Sequence, residues 1–131
     1  MPANGRFLLD TNIVIALLEG DDRVLSNLGR ASEVFIPAIV VGELFFGAAK
    51  SGRPAENIAK VERFAAGRSI LPCDLNVARV YGGVRQRLRE KGRPIPENDI
   101  WIAATATCHE LVLITRDRHF LDVDGLTVAT W

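Results

Sequence analysis

The sequence alternates short apolar segments with longer segments of helical pattern, and this alternation limits the possible folds more than any other feature. Residues 111–114 are apolar without a break, which is typical of a parallel strand covered on both faces. Residues 7–9 and 34–36 form shorter apolar runs, and residues 69–71 and 126–129 are further possible strands. Because strands alternate with helices, we predict an α/β fold in which helices flank a central parallel β-sheet.

The segments between these runs carry helical spacing or helix-boundary residues. They predict helices over residues 13–19, 38–50, 55–66 and 97–109, a short helix near residues 24–28, and a long helix ending at Lys91. We expect Thr11 and Asn12 to cap the first helix. Asp74 or Asn76 is expected to cap the long helix, and Gly92 to end it. No repeat or linker divides the 131 residues, so we predict a single domain over residues 1–131.

Composition and charge exclude several classes of protein. The chain is 48% hydrophobic and 24% charged, which argues against disorder. Its 16 basic and 16 acidic residues cancel, which argues against binding nucleic acid by bulk charge alone. The longest apolar run, residues 13–18, is far shorter than the roughly 20 residues of a membrane span. No signal-peptide pattern is visible, so we expect a cytoplasmic protein that has no contact with a membrane.

Four acidic residues occupy unusual positions in this pattern. Asp10 and Asp117 each follow an apolar strand, and ligands of open parallel sheets bind beyond the carboxyl ends of strands. Glu43 and Asp99 lie within otherwise apolar helical segments. A carboxylate among apolar neighbours is costly unless it is paired, hydrogen-bonded or bound to a metal. The four acids are therefore candidates for one site.

Each acid also has a structural interpretation of its own. Asp10 could cap the first helix, Asp99 suits the positive end of a helix dipole, and Asp117 could close a turn. Glu43 could lie on a solvated helix face or pair with an arginine. These interpretations weaken together, because a compact α/β chain has few places where all four acids can converge.

If the four acids converge, their mutual repulsion requires a cation. Two like charges about 4 Å apart repel by about 4 kcal/mol at an effective dielectric constant near 20. An all-oxygen site suits Mg²⁺ or Mn²⁺, whereas zinc favours cysteine and histidine. His109 and His119 have no clear ligand partner in the sequence, so we interpret both as capping or surface residues.

Four segments together resemble the PIN-domain ribonucleases. The segments are Leu-Leu-Asp-Thr-Asn at 8–12, Val-Gly-Glu-Leu at 41–44, Asn-Asp-Ile-Trp-Ile-Ala-Ala-Thr-Ala at 98–106 and Thr-Arg-Asp at 115–117. Asp-Thr-Asn alone is a weak signal, but the four segments in this order are a strong one. The small size and the run at residues 37–49 are most similar to VapC-type toxins of type II toxin–antitoxin systems.

The resemblance implies a PIN-like α/β/α sandwich and a Mg²⁺- or Mn²⁺-dependent endoribonuclease that hydrolyses RNA with a metal-activated water. It also implies a homodimer and a cognate VapB-type antitoxin. Asp10, Glu43 and Asp99 match the three core catalytic acids of the family, and Asp117 matches its more variable fourth. Asp10, Asp99 and Asp117 would hold the metal, and Glu43 would hold a metal-bound water or act as a base.

The resemblance assigns supporting roles to three polar residues. Thr11 or Asn12 would orient the carboxylate of Asp10, and Thr115 would contact a metal-bound water. The motifs do not specify which RNA is cleaved, or whether one metal ion or two are bound.

A basic stretch offers a place for the substrate. Residues 79–93 carry six basic side chains and one acidic side chain, a local net charge of +5. Arg85, Arg89 and Arg93 are spaced to share one face if the long helix extends that far. This face is either a solvated surface or a contact for RNA phosphates or an acidic antitoxin segment.

Two other functions compete with the nuclease. A non-catalytic PIN-like protein would bind RNA or a partner without cleaving it, although the intact core acids argue against that function. An Asp-dependent phosphotransfer enzyme would need a second acid two positions after the first, and here that position is Asn12.

Overall fold

A five-stranded β-sheet, in which all paired strands are parallel, forms the centre of the computed structural model, which describes residues 5–131. The strands are β1 (Arg6–Leu9), β2 (Glu33–Pro37), β3 (Ser69–Leu71), β4 (Val112–Ile114) and β5 (Val128–Ala129). Their order across the sheet is β3-β2-β1-β4-β5. The predicted α/β class is therefore confirmed, and so is the parallel arrangement.

Six α-helices and one 3₁₀ helix accompany the sheet in the described residues. They are α1 (Thr11–Leu18), α2 (Asp22–Arg30), α3 (Ala38–Ala49), α4 (Pro54–Ala66), α5 (Leu75–Lys91), α6 (Glu97–Cys108) and the 3₁₀ helix Arg118–Asp122. Helix α5 packs on α6, and α3 packs on α4. None of these helices is long and apolar enough to cross a bilayer.

The central strand β1 connects the two halves of the sheet. It pairs with β2 on one side and with β4 on the other. Leu8 and Leu9 of β1 are fully buried, as are Leu113 and Ile114 of β4. The order of strands along the chain reverses between β1 and β4, and such a switch point creates a crevice at the carboxyl ends of the strands. The residues that follow β1 and β4 therefore face a common crevice.

Two helix boundaries can be compared with the prediction, and one of them, the start of α1, differs from the expected cap at Thr11 and Asn12. Helix α1 is capped by Asp10, whose carboxylate accepts a hydrogen bond from the Thr11 backbone N–H, and Thr11 and Asn12 are the first residues of the helix. Helix α5 ends as expected, because Gly92 adopts a left-handed conformation (φ 67°). Arg93 consequently lies beyond the helix, so it does not continue the helical face predicted for the three arginines.

Candidate active site

All four candidate acids line one cleft of about 520 Å³. Asp10 follows β1, Glu43 lies on α3, Asp99 lies in the first turn of α6, and Asp117 follows β4. The complete lining is Asp10, Thr11, Glu43, Pro96, Glu97, Asn98, Asp99 and Asp117. Four separate segments of the chain thus bring carboxylates to the crevice at the switch point of the sheet.

Asp10 both caps helix α1 and lines the cleft with the other three acids. Only 3% of the residue is exposed. Its Oδ1 accepts from the Thr11 backbone N–H at 2.8 Å, and its Oδ2 accepts from Thr115 Oγ1 at 2.7 Å. Burial raises the pKa of this carboxyl above its ordinary value, although the two hydrogen bonds oppose the shift. The capping interpretation and the site interpretation of Asp10 therefore hold together.

Thr115 connects the two acids that follow β1 and β4. Its hydroxyl donates to Asp10 and accepts from the backbone N–H of Asp117 at 3.0 Å. Thr115 is 2% exposed. The resemblance assigns Thr115 a contact with a metal-bound water, and in the structure its hydroxyl also holds the carboxylate of Asp10 and the backbone of Asp117.

Asn12 contacts the loop after β4. Its side-chain oxygen accepts from the Arg116 backbone N–H at 3.3 Å. The guanidinium of Arg116 reaches Asp21 at 3.1 Å and the Trp131 carbonyl at 3.0 Å. Asn12 therefore fixes the loop that carries Asp117, whereas orientation of Asp10 comes from Thr11.

Thr11 contributes a second contact through its side chain. Its hydroxyl donates to Glu43 Oε1 at 2.9 Å, while its backbone N–H donates to Asp10. One residue at the start of α1 thus orients two of the four acids.

Asp99 is the second carboxyl with a perturbed pKa. Its side chain is 15% exposed, and its Oδ2 lies 2.6 Å from His119 Nε2. Burial raises the pKa of Asp99, and the negative charge of Asp10 raises it further, while the contact with His119 opposes both effects. The nearby carboxylate of Asp10 therefore disfavours ionisation of Asp99.

His119 belongs to the cluster, although we interpreted it from the sequence as a capping or surface residue. Its Nδ1, the ring nitrogen that does not contact Asp99, lies 3.6 Å from Asp117 Oδ1. Ligand atoms of Asp99, Asp117 and His119 all lie within 4.8 Å of one another. The only sequence signal for this placement is the position of His119 two residues after Asp117. His109, in contrast, follows the carboxyl end of α6, away from the cleft.

The donor set fits a divalent cation. Several carboxylates converge, and burial disfavours the ionised form of two of them. A bound cation would offset both the burial and the mutual repulsion of these groups. Carboxylate oxygens are the ligands preferred by hard cations, and the structure therefore supports a candidate metal site at this cleft.

The basic stretch lies next to the acidic cleft. Arg85 and Arg89 line a neighbouring cleft of about 380 Å³, and Glu97 lines both clefts. Arg85 donates to the Tyr81 hydroxyl at 2.6 Å and to Glu97 at 3.2 Å. Arg93 does not line this cleft. Two of the three predicted arginines thus share a surface beside the four acids.

Comparison with known proteins identifies the family. The sequence model of the PIN domain family matches residues 7–126 of the chain. The chain therefore belongs to the PIN-domain family. Among its curated relatives, Ribonuclease VapC2 of Haemophilus influenzae is 36% identical over 96% of this chain and 98% of the relative. The tRNA(fMet)-specific endonuclease VapC of Shigella flexneri is 33% identical over 96% of this chain and 98% of that protein.

A solved structure confirms the architecture. The structure of DNA-bound VapBC from Salmonella typhimurium matches with a TM-score of 0.91 and 32% identity, over 96% of this chain and 98% of that chain. The PIN-like sandwich implied by the resemblance is therefore present.

Proposed function

We propose that this chain is a metal-dependent endoribonuclease and the toxin of a type II toxin–antitoxin module. The observation that carries the proposal is the convergence of four acids from four segments in one cleft of a PIN fold. The VapC relatives, which are named ribonucleases and endonucleases, support the choice of reaction. We assign residues 1–131 to a single PIN domain that acts in the cytoplasm.

We assign the metal to Asp10, Asp99 and Asp117, and its identity to Mg²⁺ or Mn²⁺. A divalent cation at such a site supplies a lowered pKa for bound water and stabilisation of negative charge on the phosphate. The oxygens of Asp10 are preoriented by Thr11 and Thr115, so this carboxylate needs little rearrangement to act as a ligand.

We assign Glu43 the role of proton acceptor for the attacking water. It lies on the wall of the same cleft, and Thr11 fixes one of its two carboxylate oxygens. A general base must lie within hydrogen-bonding reach of the proton that it removes, and the hydroxyl of Thr11 restricts the position of this side chain.

The proposed partners are an RNA substrate, a cognate VapB-type antitoxin and a second copy of the chain. The relative from Shigella flexneri is named for tRNA(fMet), and the structure from Salmonella typhimurium is a VapBC complex, which supports RNA and an antitoxin as partners. Arg85 and Arg89 are the proposed contacts for RNA phosphates or for an acidic segment of the antitoxin.

RNA cleavage by the purified chain, freed of any antitoxin, tests this function. We expect cleavage with Mg²⁺ or Mn²⁺ and none with EDTA. Asp10→Ala should abolish cleavage, whereas Asp22→Ala, which removes an exposed acid on α2, should leave it unchanged. Equal cleavage by the Asp10 variant would exclude the metal mechanism, and specific RNA binding without cleavage by the unaltered chain would favour the non-catalytic alternative.

Expression in cells tests the assignment as a toxin. We expect the unaltered chain to arrest growth when expressed alone, and Asp99→Ala to allow growth. Growth arrest by the Asp99 variant at the same protein level would show that toxicity comes from binding rather than hydrolysis.

A further inference from the structure

The proposed function gives no role to His119, whose side chain lies beside two of the four acids. Its two ring nitrogens face two carboxylates from different segments, Asp99 of α6 and Asp117 of the loop after β4. One ligand atom from each of these three residues lies within 4.8 Å of the other two. Both Asp99 and Asp117 line the acidic cleft.

The imidazole ring is held in place by its surroundings. His119 is the second residue of the 3₁₀ helix Arg118–Asp122. It directly precedes Phe120, which is fully buried. The rings of His119 and Phe120 are 4.9 Å apart between centroids. The side chain of His119 is 29% exposed, so it reaches the cluster from a half-buried position.

This arrangement matches the usual environment of a metal-binding histidine. Such a histidine binds the metal through one ring nitrogen and donates its other N–H to a carboxylate, which fixes the orientation of the ring. In this chain each ring nitrogen already lies near a different carboxylate. Whichever nitrogen binds a cation, a carboxylate is present to orient the other.

A nitrogen ligand changes which cation the site prefers. Carboxylate and water ligands suit Mg²⁺ and Mn²⁺ alike, whereas imidazole favours transition metals. We propose that His119 supplies a nitrogen ligand, beside Asp99 and Asp117, to the divalent cation, and thereby shifts the preference of the site from Mg²⁺ towards Mn²⁺. This inference rests on the proposed function, since it concerns the same metal site.

Electron spin echo spectroscopy of bound Mn²⁺ tests nitrogen ligation directly. The sample is the full chain, freed of partners and metals and then loaded with Mn²⁺ alone. We expect ¹⁴N modulation in the unaltered chain, loss of the modulation in His119→Gln, and retention in His109→Gln. The control is matched, because His109 is the only other histidine of the sequence and follows α6 about 15 Å along the helix from Asp99.

Calorimetric titration with each cation tests the shift in preference. In His119→Gln we expect the affinity for Mn²⁺ to fall by about tenfold or more, since loss of even an outer-shell partner of a ligand costs about 10–100-fold in metal affinity. The affinity for Mg²⁺ should fall much less, because the glutamine amide can still donate to Asp99. Equal losses for both cations would show that His119 only positions Asp99, and would overturn the inference.

The outcomes separate this inference from the proposed function. Mn²⁺ that binds to the unaltered chain without nitrogen modulation, together with metal-dependent RNA cleavage, would overturn the role of His119 and leave the nuclease intact. An unaltered chain that binds neither cation, and cleaves RNA in EDTA, would overturn both.

Discussion

The energetic cost of the site is concentrated in individual carboxyl groups. Asp10 and Asp99 both have raised pKa values, chiefly because they are buried. A raised folded-state pKa means that ionisation destabilises the folded protein. The penalty is absent below the unfolded-state pKa, and it grows as the pH rises through the folded-state pKa. At pH values above the folded-state pKa, the metal-free protein is therefore destabilised by these charges, and a bound cation would offset the destabilisation.

Asp99→Asn should therefore stabilise the metal-free protein while it removes activity. The amide keeps a hydrogen bond to His119 but carries no charge. We expect the free energy of unfolding in EDTA to rise by about 1 kcal/mol at pH 7, the scale of a single stabilising substitution. The gain should shrink as the pH falls towards 4. Urea denaturation at several pH values measures it, and Asp22→Asn on the surface should show no gain; a gain independent of pH would contradict the explanation.

A single hydroxyl, that of Thr115, should matter both to stability and to metal binding. Thr115→Val keeps the shape of the side chain but removes the contacts to Asp10 and to the Asp117 backbone. We expect the free energy of unfolding to fall by about 2 kcal/mol, because a buried charged acceptor loses its donor. We also expect the variant to bind Mn²⁺ more weakly. The matched control is Thr105→Val, at an equally buried threonine that bonds only the Trp101 carbonyl in its own helix. An unchanged affinity in the Thr115 variant would argue against preorientation of Asp10.

At the scale of helices and strands, the sequence predicted the order and type of elements well. Apolar runs and helix-boundary residues located β1 and β4 as well as the end of α5 at Gly92, because local spacing reflects which face is buried. The sequence offered both Asp10 and the pair Thr11–Asn12 as caps of α1, and there is a physical reason why it could not decide between them. A carboxylate that follows a strand and precedes a helix can both cap and bind, and local spacing cannot distinguish the two roles.

The candidate site was predictable only in part. The four acids could be selected because each stood in an apolar or strand-end context. His119 could not, because its role depends on contacts across the fold with Asp99. The prediction that Arg93 shares a helical face with Arg85 and Arg89 was wrong for a local reason. Gly92 ends α5 directly before Arg93, so Arg93 is not part of the helix.

Two glycines of α5, one at its end and one in its interior, test why the helix stops where it does. Gly92 has φ 67°, whereas Gly82 lies inside the helix with open space around the position of an added Cβ. Gly92→Ala should lower the free energy of unfolding by about 1 kcal/mol, because a left-handed conformation is unfavourable for alanine. Gly82→Ala should instead stabilise by about 0.5–1 kcal/mol. Urea denaturation of both variants measures the contrast, and equal effects would contradict this explanation of the boundary.

At the scale of the whole molecule, zero net charge conceals a separation of charge. The segment 79–93 carries a net charge of +5, so the rest of the chain carries the opposite charge. The acidic cleft and the cleft of Arg85 and Arg89 adjoin at Glu97. Zero net charge therefore does not exclude nucleic-acid binding by this chain. We expect such binding to be local, with basic side chains on one side of the candidate metal site.

Salt dependence tests this local binding. In a cleavage-deficient Asp10→Ala background, Arg89→Ala should weaken RNA binding and reduce the slope of log affinity against log salt by about 0.7, the value for one single-strand phosphate contact. Arg23→Ala, an exposed arginine on α2, is the matched control and should leave the slope unchanged. Fluorescence anisotropy with labelled RNA at several salt concentrations measures both. An unaltered slope in the Arg89 variant would assign this face to solvent or to another partner.

The pairing of β1 with β4 also determines when the cluster can exist. Asp10 is synthesised near the start of the chain, but Thr115, its hydrogen-bonding partner, comes 105 residues later. At about 5–20 residues per second, translation of that interval takes roughly 5–20 seconds. Strand β2 can join β1 during this time, yet the acids of α6 and of the loop after β4 are still missing. A nascent chain, or a fragment released before β4, therefore lacks the complete cluster however well its first half folds.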